Sequence, residues 1–157
     1  MTSTSLNPAG IGILSATILE RDLNQCILEL EAYRMEAHLW VLEGQVKNSG
    51  GNLALHTAGS IQHFIGAVLG KNGYLRNRDR EFSDRGITRP EIIARLRQAI
   101  AVVKEVLPPL TEEALAQDLP EKIGGNTISI GLFLLHVISH VKYHLGQLNY
   151  HRCLLDQ

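Results

Sequence analysis

Three histidines recur every four residues near the C-terminal end of the chain: His136, His140 and His144. A four-residue step along an α-helix rotates by only about 40°, so these imidazoles lie on one narrow stripe. Neighbouring imidazoles on the stripe can bind the same metal ion. All three cannot, because His136 and His144 are about 12 Å apart along the axis, whereas a ligand nitrogen lies about 2 Å from a transition metal. A third ligand must therefore come from another helix.

Two further histidines, His56 and His63, lie in a second helical segment and could supply that ligand. They are seven residues apart, hence only about 20° apart around the axis, and helical geometry does not choose between them. A lone pair of histidines four residues apart is as readily explained by ordinary structural residues. The stripe favours a metal site, because it also includes Gln147 and His151 and should face the interior of the bundle. Imidazoles buried there need hydrogen-bond partners or a bound ion.

Four amphipathic helices are predicted to position these residues. The spacing of apolar residues predicts helices over residues 11–36, 50–69, 88–107 and 129–154. Thr88 and Glu91 have capping-box spacing, and Pro108-Pro109 ends the third helix. The charged residues 70–87 form the longest connection, and no segment alternates as a strand would. The chain is therefore predicted to be all-α and to form a four-helix bundle, a fold that builds sites from facing helices.

Composition limits the partners of this chain. Its 157 residues fit a single domain over residues 1–157, and its net charge of -1 provides no broad basic surface for nucleic acid or acidic lipid. The polar N-terminus has no leader pattern, and no apolar run reaches the roughly 18 residues of a membrane span. We therefore expect a cytoplasmic protein with no nucleic-acid or membrane partner. Cys26 and Cys153 are expected to be buried thiols, with a disulfide between them left open.

Two segments together resemble the DinB-like superfamily of metal-binding four-helix bundles, which is also represented among thiol-dependent S-transferases and isomerases. They are GNLALHTAG at residues 51–59 and SHVKYHLGQLNYHR at residues 139–152. The chain is most similar to a branch of short proteins whose second helix carries N-L-A-L-H-x-A-G. The resemblance spans nearly the whole chain and implies an up-down-down-up bundle, which agrees with the long connection at residues 70–87.

Carried over by position, the resemblance implies that the metal ligands are His56, His140 and His144. His63 and His136 then fall outside the site. Ser60 stands where this branch has an asparagine one turn beyond the first histidine. A side-chain amide contact at the mouth of the site is therefore not expected from residue 60, whereas the implied metal ligands are unaffected.

A centre with three neutral histidines keeps an open coordination position, which is typical of catalytic sites. Zinc, nickel and ferrous iron all accept imidazole, so the ligands do not name the divalent transition metal. An open position can acidify water for hydrolysis, or hold a low-molecular-weight thiol for transfer to an electrophilic small molecule. The similarity to S-transferring relatives and the lack of an obvious carboxylate base beside the ligands favour thiol transfer, with metal-dependent hydrolysis as the alternative.

The surroundings of the site leave several roles open. Tyr143 and Gln147 flank the ligands on the fourth helix and could contact substrate or simply support the histidines. In the long connection, Tyr74 and the arginines could bind an acidic thiol cofactor if the loop folds over the site, although a solvated loop is favoured. These arginines are Arg76, Arg78 and Arg80.

A non-enzymatic protein is the competing hypothesis. Here the ion stabilises a dimeric binding or stress-related protein whose working surface is an interface. Gly59 and Gly146 would then permit close helix packing. A homodimer formed through apolar helix faces is expected in either case, since four amphipathic helices often leave one stripe unburied and the resemblance implies the same.

Overall fold

Four long helices dominate the computed structural model, which describes residues 10–157. Short helical turns lie between them, and this part of the chain contains no β-strand, so the predicted all-α fold is confirmed. The long helices are α1 (Ile11–Glu31), α2 (Gly50–Ile61), α4 (Arg89–Val106) and α6 (Ile130–Leu155). The short elements are a 3₁₀ helix (Glu36–Trp40), a π-helical continuation of α2 (Gln62–Leu69), α3 (Arg78–Ser83) and α5 (Glu112–Ala116).

The long helices pack around one apolar core. Helix α1 packs against α4 and α6, and α2 packs against the same two helices. Fully buried residues from all four helices fill the space between them, among them Leu23, Ile61, Leu96 and Leu134. The histidine-bearing helices α2 and α6 are therefore direct neighbours, while the up-down-down-up order stays a prediction.

None of the helices within residues 10–157 is both long and apolar enough to cross a bilayer.

Side-chain caps explain where three of the long helices begin. The Ser49 hydroxyl accepts a hydrogen bond from a backbone N–H in the first turn of α2, and Ser129 does the same for α6. At α4 the predicted capping box is present in full: Thr88 accepts from the Glu91 backbone, and the Glu91 carboxylate accepts from the Thr88 backbone. The first residues of these three helices are therefore close to the predicted ones, because each capping residue lies next to the helix that it caps.

The first helix is shorter than predicted. It ends at Glu31 rather than near residue 36, and Met35 is exposed. Tyr33 instead turns into the core, where its hydroxyl lies 2.7 Å from Nδ1 of His151 on α6. The contact between Tyr33 and His151 thus ends the helix earlier than the spacing of apolar residues predicts.

The expectation of two buried thiols is wrong in part. Cys153 is exposed, whereas Cys26 is buried, and neither forms a disulfide.

The connection between the second and third long helices contains helix α3, which the periodicity did not predict. Asn52 of α2 is buried beneath it. The Asn52 amide donates to the backbone carbonyls of Glu81, at 2.9 Å, and Asp84, at 3.0 Å. Its oxygen accepts from the Arg85 guanidinium at 2.7 Å and from the Ser49 hydroxyl at 2.7 Å. One buried side chain therefore fixes the C-terminal half of α3 to α2.

Replacing Asn52 with leucine should lower the free energy of unfolding by about 1–3 kcal/mol, because several buried groups would lose their hydrogen-bond partner. Urea unfolding followed by circular dichroism measures the change. Asn24→Leu, on the exposed side of α1, is the control and should change stability by less than about 0.5 kcal/mol. Equal stability of the Asn52→Leu variant and the unchanged protein would contradict this role of Asn52.

Candidate metal centre

Three imidazoles converge between α2 and α6. The Nε2 atom of His140 lies 3.2 Å from Nε2 of His56 and 3.1 Å from Nε2 of His144. The ring planes of these histidines are inclined by 69° to 87°, so each ring points its edge at the common centre. His56 is buried, and the two histidines of α6 are half-buried. The structure thus brings together the three residues that the resemblance implies as ligands.

Hydrogen bonds between the three rings cannot satisfy all three Nε2 atoms. Nδ1 of His56 faces a carboxylate oxygen of Glu81 at 2.9 Å, and Nδ1 of His144 faces the amide oxygen of Gln147 at 2.7 Å. Since both oxygens are acceptors, both Nδ1 atoms carry the proton, and the corresponding Nε2 atoms present lone pairs. His140 has at most one proton on Nε2 and can donate it to only one of them. A cation at the centre would satisfy all three.

The spacing of the nitrogens also fits a metal ion. In a tetrahedral site with metal–nitrogen distances of about 2.0–2.1 Å, two ligand nitrogens lie about 3.3 Å apart. The two shorter nitrogen separations, 3.2 Å and 3.1 Å, are close to this value. A group of three histidines that could hold a divalent ion is therefore present.

The electrostatics of the site keep the two imidazoles of α6 neutral. Burial, together with the neighbouring His144 and His56, lowers the pKa of His140 to about 3. Burial also lowers the pKa of His144, although the hydrogen bond with Gln147 opposes this shift. Both rings are consequently uncharged near pH 7, the state in which imidazole donates a lone pair to a metal.

Glu81 of α3 is the functional residue that sequence reasoning missed. Its buried carboxylate accepts from Nε of Arg76 at 2.7 Å and from Nη2 at 2.8 Å, as well as from His56. Burial by itself would raise the pKa of Glu81, but the hydrogen bonds from Arg76 and His56 outweigh it, and the pKa is lowered. The carboxylate stays ionised and holds His56 in the tautomer that points Nε2 to the centre.

Residues 26–148 match the family model of the DinB superfamily. The chain belongs to the DinB superfamily. The matched region includes the three converging histidines and Glu81. A search of curated proteins gave no match.

Gly59 shapes this DinB-superfamily site. A Cβ atom at residue 59 would lie 2.1 Å from a carboxylate oxygen of Glu81, so the missing side chain leaves the space that the carboxylate occupies. Gly59 is expected from the sequence to permit close packing of a neighbouring helix. The element that packs closely against it is α3, through the Glu81 side chain. Gly146, by contrast, is exposed and has no non-local neighbour within 4 Å among the described residues.

The other histidines lie outside the centre, as the resemblance implies. His63 pairs with Glu121 at 2.8 Å on the π-helical segment. His136 is exposed, and its ring stacks against that of His140 with 6.2 Å between the centroids. His151 is buried and faces the Val41 carbonyl at 2.9 Å as well as Tyr33.

The arginines of the connection divide into two groups. Arg76 is largely buried through its bonds with Glu81, so a solvated loop is wrong for this residue. Arg78 and Arg80 are exposed, as the hypothesis of a solvated loop predicts.

Ser60 is the residue at which the resemblance implies an asparagine. It is buried and lines a cavity of about 70 Å³ that His140 also lines.

Proposed function

We propose that this protein is a metal-dependent enzyme that transfers a low-molecular-weight thiol to an electrophilic small molecule. His56, His140 and His144 would bind one divalent zinc, nickel or iron ion. The observation that carries the proposal is the meeting of three Nε2 atoms whose lone pairs cannot all be satisfied by hydrogen bonds between the three rings. Three protein ligands leave the open position that a catalytic ion needs.

A divalent ion with an open position lowers the pKa of a thiol or a water molecule that binds to it. The surrounding residues favour the thiol. The carboxylate of Glu81 is engaged by Arg76 and His56 and has a lowered pKa, so it is a poor base near pH 7. Among the described residues, no carboxylate joins the three histidines. Thiol transfer needs no protein base once the thiol is deprotonated, whereas hydrolysis benefits from one.

A cleft lined by Gln147, the hydrogen-bond partner of His144, supports a small-molecule substrate. It has a volume of about 460 Å³ and lies between α6 and the loop before α2. Gln147 lines the cleft, and its amide accepts from His144 and donates to the Tyr143 hydroxyl at 3.2 Å. Leu53 and Tyr150 supply apolar surface. An electrophile with an apolar body could bind here, one helical turn from a metal ligand.

Removing any one of the three histidines should deplete the metal. The purified protein is expected to contain about one divalent ion per chain, and alanine variants of His56, His140 and His144 should each lose most of it. Elemental analysis by mass spectrometry measures the content. His63→Ala and His136→Ala are matched controls from the same two helical segments and should keep the ion. Retention by all three ligand variants would show that the site is wrong.

Small thiols should perturb the metal directly. With cobalt(II) in place of the native ion, titration with bacillithiol, mycothiol, glutathione or cysteine is expected to produce thiolate-to-metal charge-transfer absorption. His140→Ala, loaded in the same way, is the control and should give no such band. No change with any thiol, together with metal-dependent ester or amide hydrolysis, would favour a hydrolase. No change and no activity would favour the non-enzymatic hypothesis.

An apolar stripe on α6 supports the expected homodimer. Five exposed side chains fall within about 100° of arc on this helix. They are Leu132, Leu135, Tyr143, Tyr150 and Leu154, each more than half exposed. Contiguous apolar surface of this kind is typical of interaction sites, and a stripe on one helix can pair with its own copy about a twofold axis.

Light scattering at micromolar concentration should therefore report twice the chain mass. The double variant Leu135→Glu/Tyr150→Glu should be monomeric, because it places charges in the middle of the stripe. Leu28→Glu, at an exposed leucine of α1, is the control and should remain dimeric. A monomeric unchanged protein would contradict the proposed dimer.

A further inference from the structure

A second pocket lies on the other side of Glu81, between α2, α3 and α4. We call it the α2–α4 pocket; it has a volume of about 310 Å³. Its walls include Gly59, Gln62, Tyr74, Glu81 and Arg95, and none of the three converging histidines lines it. Its size is at the lower end of the range for small-molecule sites. The pocket therefore contains none of the candidate ligands, although Glu81, which contacts His56, forms part of its wall.

Gln62 places an amide without a protein partner on the wall of this pocket. The residue is 7% exposed, and its side-chain amide makes no hydrogen bond with any residue from 10 to 157. The amide atoms are not among the buried, unpartnered side-chain atoms of the described residues, so they are open to the pocket, where water or a ligand can provide partners. Gln62 is also the first residue of the π-helical segment, a type of distortion that is frequent at functional sites. Its amide can donate to and accept from a bound molecule.

The charges around the pocket leave one cation without a counterion. Glu81 is paired with Arg76, and Asp84 is paired with Arg80 at 3.2 Å. Arg95, on α4, forms no ion pair within 4 Å in the described part of the chain, although its charge contributes to the lowered pKa of Glu91 one turn earlier on the same helix. Tyr74 also lines the pocket, and its hydroxyl forms no hydrogen bond with the other described residues. The free groups are therefore mainly donors, with one net positive charge, and they match an anion that carries further acceptors.

We propose that the α2–α4 pocket binds a small organic monocarboxylate that also carries an amide or carbonyl group. The carboxylate pairs with the Arg95 guanidinium, which can donate two parallel hydrogen bonds, and the second group bonds with the Gln62 amide. Dianions fit less well, since only one positive charge is left without a counterion. This site does not depend on the metal, because no histidine of the centre lines it.

N-acetylglycine and its uncharged counterpart N-acetylglycinamide are matched probes for this site. Isothermal titration calorimetry with the full-length protein should detect binding of the acid and at least about tenfold weaker binding of the amide. Arg95→Gln should weaken binding of the acid by a similar factor. Arg97→Gln removes a cation from an exposed position of the same helix outside the pocket, and should leave the affinity unchanged. Gln62→Leu should weaken both probes.

The same titration after dialysis against a chelator separates this pocket from the metal centre, because a carboxylate can also bind a metal ion. Unchanged affinity without metal, together with the loss in Arg95→Gln, supports the α2–α4 pocket. Affinity that disappears with the metal and is insensitive to Arg95→Gln would place the acid at the histidines and overturn the proposal. Failure of N-acetylglycine to bind at millimolar concentration would overturn it as well.

Discussion

The geometry of the centre depends on one buried carboxylate, that of Glu81. A buried charge is costly unless it is paired and fully hydrogen-bonded. Two N–H groups of Arg76 and one of His56 meet this requirement, at distances of 2.7 to 2.9 Å. The same bonds fix the proton of His56 on Nδ1, and this leaves the Nε2 lone pair facing His140. The carboxylate thus fixes the orientation of a candidate ligand through its Nδ1 atom, on the far side of the ring from the point where the three Nε2 atoms meet.

Helix α2 is built to hold this carboxylate. Asn52 and Gly59 are seven residues apart and share one face, about 20° apart around the axis. The first binds the backbone of α3, and the second leaves room for the Glu81 side chain. His56 lies between them in sequence and is rotated toward α6. The short helix α3 is therefore a structural part of the centre, although it contributes no residue to the group of three histidines.

Local patterns predicted much of this architecture, and contacts between distant residues account for the rest. Periodicity and capping signals give α2, α4 and α6, and the spacing of His140 and His144 indicates a shared ion. Spacing could not choose between His56 and His63; the family resemblance made that choice. Glu81 could not be found, because α3 has only six residues, too few for a periodic pattern, and because its partner His56 is 25 residues away. The early end of α1 likewise depends on a contact across the bundle.

The metal affinity of Glu81→Gln tests this account most directly. Glutamine keeps the size of the side chain but removes the charge that holds His56. Competition with a chromophoric chelator should show about 10–100-fold weaker zinc binding. Glu121→Gln is the matched control, because Glu121 pairs with His63 at 2.8 Å outside the centre, and its affinity should equal that of the unchanged protein. Equal affinity of Glu81→Gln and the unchanged protein would contradict the central claim that this carboxylate positions a metal ligand.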